Sequence, residues 1–404
     1  MPFKSFFFSI ILISLLFSLD GFDISSVLVF LLLPFINLKK LFIEESLIVK
    51  AFLFYNFLVL ISIIINITHI KFTSIARPAA VVFFSFFILS NRSFILHNAK
   101  KFFLLTATSI VILDMIALLF FFVFGIVQLD GFKSFYPGLR FQGFYNLTIS
   151  AVSKSFIVIL LFHFKSQIKS FTFWFLTSIL ILTILLSLTR TAWIILIIYF
   201  VPRLVWNTFS MNKKNLKNIF YNVFKLSLPF LSLFTLLSVY NKDFEIAGFS
   251  VKEIFYNRLF SDSLGTESVA EIERGGLYYP LRLLETLEFS FFGNGFGTTD
   301  YSGGILFGSD ENLGAHNTFV HILFDYGVLS FFTFLFFNFV LMIHLWRNIR
   351  YSKDFLLFIQ LYLALLFAFS YQDLDYYLPT MFILLNVIVF AVKENEHLRV
   401  SRIS

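Results

Sequence analysis

Cysteine is absent from the chain, which excludes a disulfide scaffold, a thiolate zinc site and a cysteine nucleophile together. Charge is scarce: Asp, Glu, Lys and Arg make up 14% of 404 residues, where a soluble domain carries about 25%. The 31 basic and 24 acidic residues leave a net charge of +7, too thinly spread on so apolar a chain for a nucleic-acid binder. Neither an internal repeat nor a heptad run is visible, which sets aside solenoids and coiled coils. What fills the chain is apolar: 58% hydrophobic residues, 63 of them Phe, with a mean hydropathy of +0.86. This is the composition of an all-α polytopic membrane protein.

A span needs about 20 mostly apolar residues, and about twelve candidates can be laid out. They run near 5–19, 24–38, 47–66, 77–96, 102–127, 147–164, 171–189, 190–206, 219–240, 318–346, 354–372 and 377–392. The first resembles a signal peptide, but no small-residue cleavage site follows Leu19, so it reads as a membrane helix that pairs with the second in a tight hairpin. Basic residues test the alternation of sides. With the N-terminus in the cytoplasm, the clusters at 39–40, 92–101, 165–169, 203–217, 347–353 and 393–402 are all cytoplasmic. The short external connections then keep only Lys71, Arg77, Lys133, Arg140 and Arg190. Both termini are therefore expected in the cytoplasm.

Three regions follow: a membrane domain over 1–240 with nine helices, a polar external loop over 241–317, and a membrane domain with three helices and a cytoplasmic tail over 318–404. The loop holds the glycine clusters Gly275-Gly276, Gly293-Asn294-Gly295-Phe296-Gly297 and Gly303-Gly304. Within it, Tyr279 to Phe292 reads as a short amphipathic helix: Leu281, Leu284 and Leu287 share one side, while Arg282 and Glu285 are spaced to pair on the other. A long loop with structure of its own is more often functional than a connector.

Few residues can carry chemistry. Arg190, in Ser187-Leu188-Thr189-Arg190-Thr191-Ala192-Trp193, sits between two apolar runs; it is either a functional intramembrane charge or a snorkelling arginine with Trp193 as its interfacial anchor. Arg140, in Tyr136-Pro137-Gly138-Leu139-Arg140-Phe141-Gln142-Gly143-Phe144, and Arg274 read on their own as solvated loop charges. His316, in Gly314-Ala315-His316-Asn317-Thr318, has the side chain suited to proton transfer near neutrality, or is simply a loop histidine ahead of an Asn317 or Thr318 helix cap. Asp300, Asp310 and Glu311 show no metal-ligand spacing. Asp114 and Lys154 are the remaining intramembrane charges and read as a structural pair or a helix-orienting device.

The order of these motifs carries more than any one of them. Arg140-Phe141-Gln142-Gly143-Phe144 with Asn146, then Ser187 to Trp193, then Arg274-Gly275-Gly276 and Phe291-Phe292-Gly293-Asn294-Gly295-Phe296-Gly297, then Ala315-His316-Asn317-Thr318-Phe319 with Asp325-Tyr326-Gly327 resemble, in sequence, the motifs of the bacterial O-antigen polymerase and O-antigen ligase superfamily. The resemblance runs from about residue 135 to about 345. It departs at Ser290-Phe291, where a proline is usual, and at Tyr145-Asn146, where Pro-Asn is common; the first 130 residues match only as generic membrane helices.

The resemblance implies glycosyl transfer at the periplasmic face of the bacterial inner membrane, from a glycan on undecaprenyl diphosphate. It implies His316, Arg190 and Arg274 as catalytic residues and Arg140, Arg190 and Arg274 as diphosphate ligands, with no cofactor and no metal. Membrane lipid is expected around the chain, and a chain-length regulator protein among its partners. Guanidinium groups suit that work, because they offer planar, bidentate, permanent charge to a phosphate whose charge grows as the anomeric bond breaks. A polymerase joins one lipid-linked unit to another; a ligase delivers the glycan to lipid A core. A lipid-linked oligosaccharide flippase also fits the number of spans, but the chain lacks the matched Gly/Pro-interrupted halves of such transporters. A purely structural assembly protein is a further alternative, with no feature in its favour.

Overall fold

The computed structural model describes residues 2–16, 18–19, 22–43, 46–66, 72–124, 128–129, 132–133, 135–136, 140–141, 147–187, 189–209, 245–246, 249–250, 284, 288–296, 317–348, 353–371, 374 and 377–403. Among these the chain is helical, and strands occur only as four pairs of two residues each. Three helical stretches, Leu47–Ile65, Ala99–Leu119 and Val328–Asn348, are long and apolar enough to cross a membrane, and eight shorter apolar stretches accompany them. Backbone donors and acceptors cannot go unpaired in hydrocarbon, so an apolar chain of this kind closes its hydrogen bonds within helices. It is a membrane protein by composition and by element type.

In chain order the helices are α1 (Pro2–Ile13), α2 (Ile24–Leu28, continued as a 3₁₀ turn over Val29–Phe35), α3 (Leu38–Phe42), α4 (Leu47–Ile65), α5 (Phe72–Ser90), α6 (Arg92–His97) and α7 (Ala99–Phe124). After the short strands come α8 (Leu147–His163), α9 (Ser170–Leu186) and α10 (Arg190–Phe209). The last group is α11 (Thr318–His321, running into a π-helical turn over Ile322–Tyr326), α12 (Val328–Asn348), α13 (Lys353–Tyr371) and α14 (Leu378–Ile403). Most expected apolar segments that fall on described residues are helical, but the first, expected over 5–19, ends as a helix at Ile13, with Ser18–Leu19 in a short strand. The second, expected over 24–38, is α-helical only over Ile24–Leu28 before its 3₁₀ turn, which holds Pro34. The segment 219–240 lies outside the described residues.

Three further expectations need correction. The span expected as one helix over 318–346 is broken: α11 and its π turn end at Gly327, whose φ of 93° no side chain-bearing residue adopts easily. The helix expected over 77–96 starts earlier, at Phe72, holds Arg77 and Pro78 inside it, and stops at Ser90 before a separate α6. The amphipathic helix expected to reach 292 does not, because residues 288–292 are non-helical and lead into a backbone clasp described below. Of its named residues, Leu284 is helical and exposed, and Leu281, Arg282, Glu285 and Leu287 lie outside the described residues.

The chain forms two compact units. The first comprises Met1–Leu15, Asp23–Leu105 and Ser268–Ser404. Its spine is the pairing of α4 with α12, where Phe52 meets Phe337 at 4.9 Å and Tyr55 meets Phe334 at 5.0 Å between ring centroids. The other faces of these helices carry exposed Phe54, Phe57, Phe332, Phe336 and Phe339, a pattern that lipid, and not water, can solvate. Phe8 of α1 is wholly buried between Phe84, Phe87 and Phe102.

The second unit comprises Leu16–Phe22 and Thr106–Glu267. Its centre is α8, flanked by α9 and α10, and every residue from Ile149 to Leu161 is buried. Ser150, Ala151, Ser153 and Ser155 keep this helix slender. In a membrane, where no hydrophobic drive pulls helices together, small residues of this kind let backbones approach and give packing its grip.

Candidate functional site

In the second unit, α9 stops at Leu186 and α10 begins at Arg190, so the polar pinch in the sequence is a true elbow. Hydroxyl groups satisfy the backbone there: Ser187 Oγ donates to the Ile184 carbonyl at 2.6 Å and accepts from Thr189 N–H at 3.3 Å. Trp193 closes the far side, its Nε1–H donating back to the same Ile184 carbonyl at 3.4 Å. From α8, Ser155 Oγ shares its hydrogen between Ala151 O and Ala192 O, each at 3.0 Å. Arg190 therefore stands exposed at the first position of a helix whose first turn is held from two directions.

Directly beneath lies a buried polar triad. Lys154 Nζ of α8 donates to Asp114 Oδ1 of α7 at 2.7 Å, and Thr183 Oγ1 of α9 shares its hydrogen between Asp114 Oδ2 at 2.9 Å and Leu180 O at 3.1 Å. All three residues are buried, Asp114 at 4% exposure and Lys154 at 3%. The pairing expected from the sequence is present, and a hydroxyl that was not foreseen occupies the second carboxylate oxygen. A charge that must leave water is tolerable only when its partners are this complete.

Arg140 belongs to the same unit. Its backbone lies in a short strand, Arg140–Phe141, antiparallel to Phe135–Tyr136 with Tyr136 opposite Arg140, and the strand of Arg140 packs beside α9. Two of the expected arginines are thus carried by elements attached to α9: one on a strand at its side, one at the head of the helix that follows it.

In the first unit, residues 290–295 are fastened by backbone bonds to residues 324–329. Asn294 N–H donates to Phe324 O at 2.9 Å, Gly295 N–H to Asp325 O at 3.2 Å, Val328 N–H to Ser290 O at 3.0 Å and Leu329 N–H to Phe291 O at 3.3 Å. The C-terminal end of α4 joins in: Ser62 Oγ donates to Asp325 O at 3.0 Å and Asn66 Nδ2 to Gly293 O at 3.4 Å. Two glycines make this approach feasible. A Cβ on Gly293 would stand 2.2 Å from Asp325 O, and one on Gly327 would stand 2.3 Å from Gly293 N. Both also have positive φ.

Inside this clasp, His321 Nε2 lies 3.0 Å from Asp325 Oδ2, four residues on, with both side chains buried. The imidazole meets Phe296 and Tyr326 edge-on at 5.5 Å each. His321 ends α11 and Asp325 lies in the π turn that follows; such turns recur at functional positions because they re-aim a helix's side chains. Asn317 caps α11 by accepting from Phe319 and Val320 N–H, and its Nδ2 donates to Ser370 O at 3.0 Å. Thr318 Oγ1 accepts from Leu374 N–H at 2.9 Å.

Arg190 and the backbone of Arg140 are therefore described, whereas Arg274 and His316 lie outside the described residues. So do Asp300, Asp310 and Glu311; among the described residues no three His, Asp or Glu side chains gather as a metal site would need. Sequence reasoning missed His321, although a signal was present: an i, i+4 His–Asp spacing directly after a helix cap, on the same face of the turn. No protein-family model matches the chain, and no curated protein is similar to it.

Proposed function

We propose that the chain is a membrane-embedded glycosyltransferase that uses an undecaprenyl-diphosphate-linked glycan, and specifically an O-antigen polymerase. The observation that carries the reading is the ordered set of motifs around Arg140, Arg190, Arg274 and His316, set between apolar spans and a polar loop at 241–317. The basic-residue bias supports twelve spans with both termini in the cytoplasm and that loop in the periplasm. The exposed guanidinium of Arg190 at the head of α10 and the strand of Arg140 beside α9 suit residues that meet a headgroup.

In this reading an acceptor hydroxyl on one lipid-linked unit attacks the anomeric carbon of another. The bond from that carbon to the diphosphate oxygen breaks, and undecaprenyl diphosphate leaves with the electron pair. His316 takes the hydroxyl proton. The arginines hold the diphosphate and stabilise the charge that grows on it. A diphosphate leaves readily, so the chemistry calls for no strong general acid.

A ligase, which passes the glycan to lipid A core, fits the same motifs because it uses the same donor. The lipopolysaccharide ladder of a deletion strain separates the two. Loss of a polymerase leaves core bearing a single repeat unit; loss of a ligase leaves bare core, with the glycan retained on its lipid carrier. An unchanged ladder would overturn both.

A further inference from the structure

We infer that the buried Asp114–Lys154–Thr183 triad is a positioning device for Arg190, setting the elbow between α9 and α10 so that the guanidinium meets a lipid diphosphate. The inference rests on the proposed role of Arg190 as a diphosphate ligand.

The triad reaches the elbow through adjacent residues on two sides. On α9, Thr183 is bonded to Asp114, and its neighbour Ile184 supplies the carbonyl that accepts from both Ser187 Oγ and Trp193 Nε1. On α8, Lys154 is bonded to Asp114, and its neighbour Ser155 donates to Ala192 O in the first turn of α10. The two supports of the elbow thus both hang from one carboxylate on α7. Apolar contacts between Phe, Ile and Ala surfaces tolerate small slides and rotations; two directed bonds to the two oxygens of one carboxylate do not.

Stability alone does not account for the triad. A buried ion pair is commonly replaced by well-packed apolar residues with no loss of stability. Placement of a charge against a phosphate is far less forgiving, since a displacement of about 1 Å can cost about 10²-fold in rate.

The test is a mutant cycle on the full chain in lipid nanodiscs, with undecaprenyl diphosphate as the binding probe and thermal unfolding followed in parallel. Arg190→Lys keeps the charge and loses the bidentate fork, so affinity should fall about tenfold. Asp114→Leu with Lys154→Met removes both charges together; unfolding should be unchanged while affinity falls about tenfold. The combined triple substitution should bind no worse than Arg190→Lys alone, because the triad acts only through that fork. Independent losses that multiply to about 10²-fold would overturn the inference, as would a paired substitution that binds normally. If Arg190→Lys itself binds normally, the diphosphate role of Arg190 fails and the inference falls with it, a result distinct from multiplying losses. Should the paired substitution not fold, Thr183→Val enters the same cycle; it deletes only the hydroxyl on α9, and about threefold loss is expected.

Discussion

Gly293→Ala is the sharpest perturbation that the clasp invites. The added methyl group would stand 2.2 Å from the Asp325 carbonyl oxygen and 2.7 Å from the Tyr326 carbonyl carbon. Ordinary contact lies near 3.4 Å or beyond, so the two backbones must part by about 1 Å, and no rotamer change can relieve a clash between backbone atoms. The clasp bonds run from 2.9 to 3.3 Å, and that displacement takes them past hydrogen-bonding range. Four bonds at about 0.5–1.5 kcal/mol each, with about 1–2 kcal/mol for forcing alanine to a positive φ, give a loss of about 3–8 kcal/mol. Purified protein in detergent should unfold several degrees lower, and a protease should cut the loop end near residues 290–296 much faster. Asn294→Ala is the control: its side chain is exposed and donates only to Glu288 O at 3.2 Å, so the loss should stay near 1 kcal/mol or below. A Gly293→Ala variant with wild-type unfolding and wild-type proteolysis would refute the account of the clasp.

Other outcomes test the functional reading. Arg190→Lys should lower donor binding and turnover together, with a rate loss of about 10²–10³, whereas His316→Ala should spare donor binding and remove turnover by about 10²–10⁴; a folded His316→Ala enzyme with near-normal turnover removes that residue from the mechanism. Single cysteines in 241–317 should react with an impermeant reagent from the periplasmic side, and those in 207–218 should not; labelling at Lys213 or Lys214 from that side would invert the topology. Transfer should persist in EDTA, because arginines can supply the charge that holds the diphosphate. Loss of activity rescued by one divalent ion would point back to Asp300, Asp310 and Glu311.

Hydropathy made the helical segments legible, because an apolar stretch has one way to satisfy its backbone in lipid. The polar pinch at Ser187 to Arg190 marked the elbow for a related reason: side-chain oxygens replaced the helix's own hydrogen bonds there. Asp114 and Lys154 could be paired on paper because an apolar interior leaves each charge few partners. The break at Gly327 was hidden, since Phe, Leu and Val continue across it and hydropathy does not report φ. Nor could the clasp be foreseen: Ser62 and Asp325 are 263 residues apart, and a bond to a backbone carbonyl constrains the identity of neither the acceptor nor its neighbours. His321 was overshadowed by His316, five residues earlier, because a motif read along the chain gives no weight to which histidine ends up buried against a carboxylate.

The clasp also bears on how such a chain can diversify. Whatever lies between residues 296 and 317 leaves from, and returns to, backbone that is pinned to itself and to the end of α4. With its ends fixed, lengthening that segment adds only the slowly growing entropy of a longer closed loop, about 0.6 kcal/mol for each doubling. Insertions and exchanges there would be screened from the helices by the clasp. Insertions within residues 297–315 could thus accumulate, while His316 is held for the proposed reaction and Gly293 and Gly327 for the clasp.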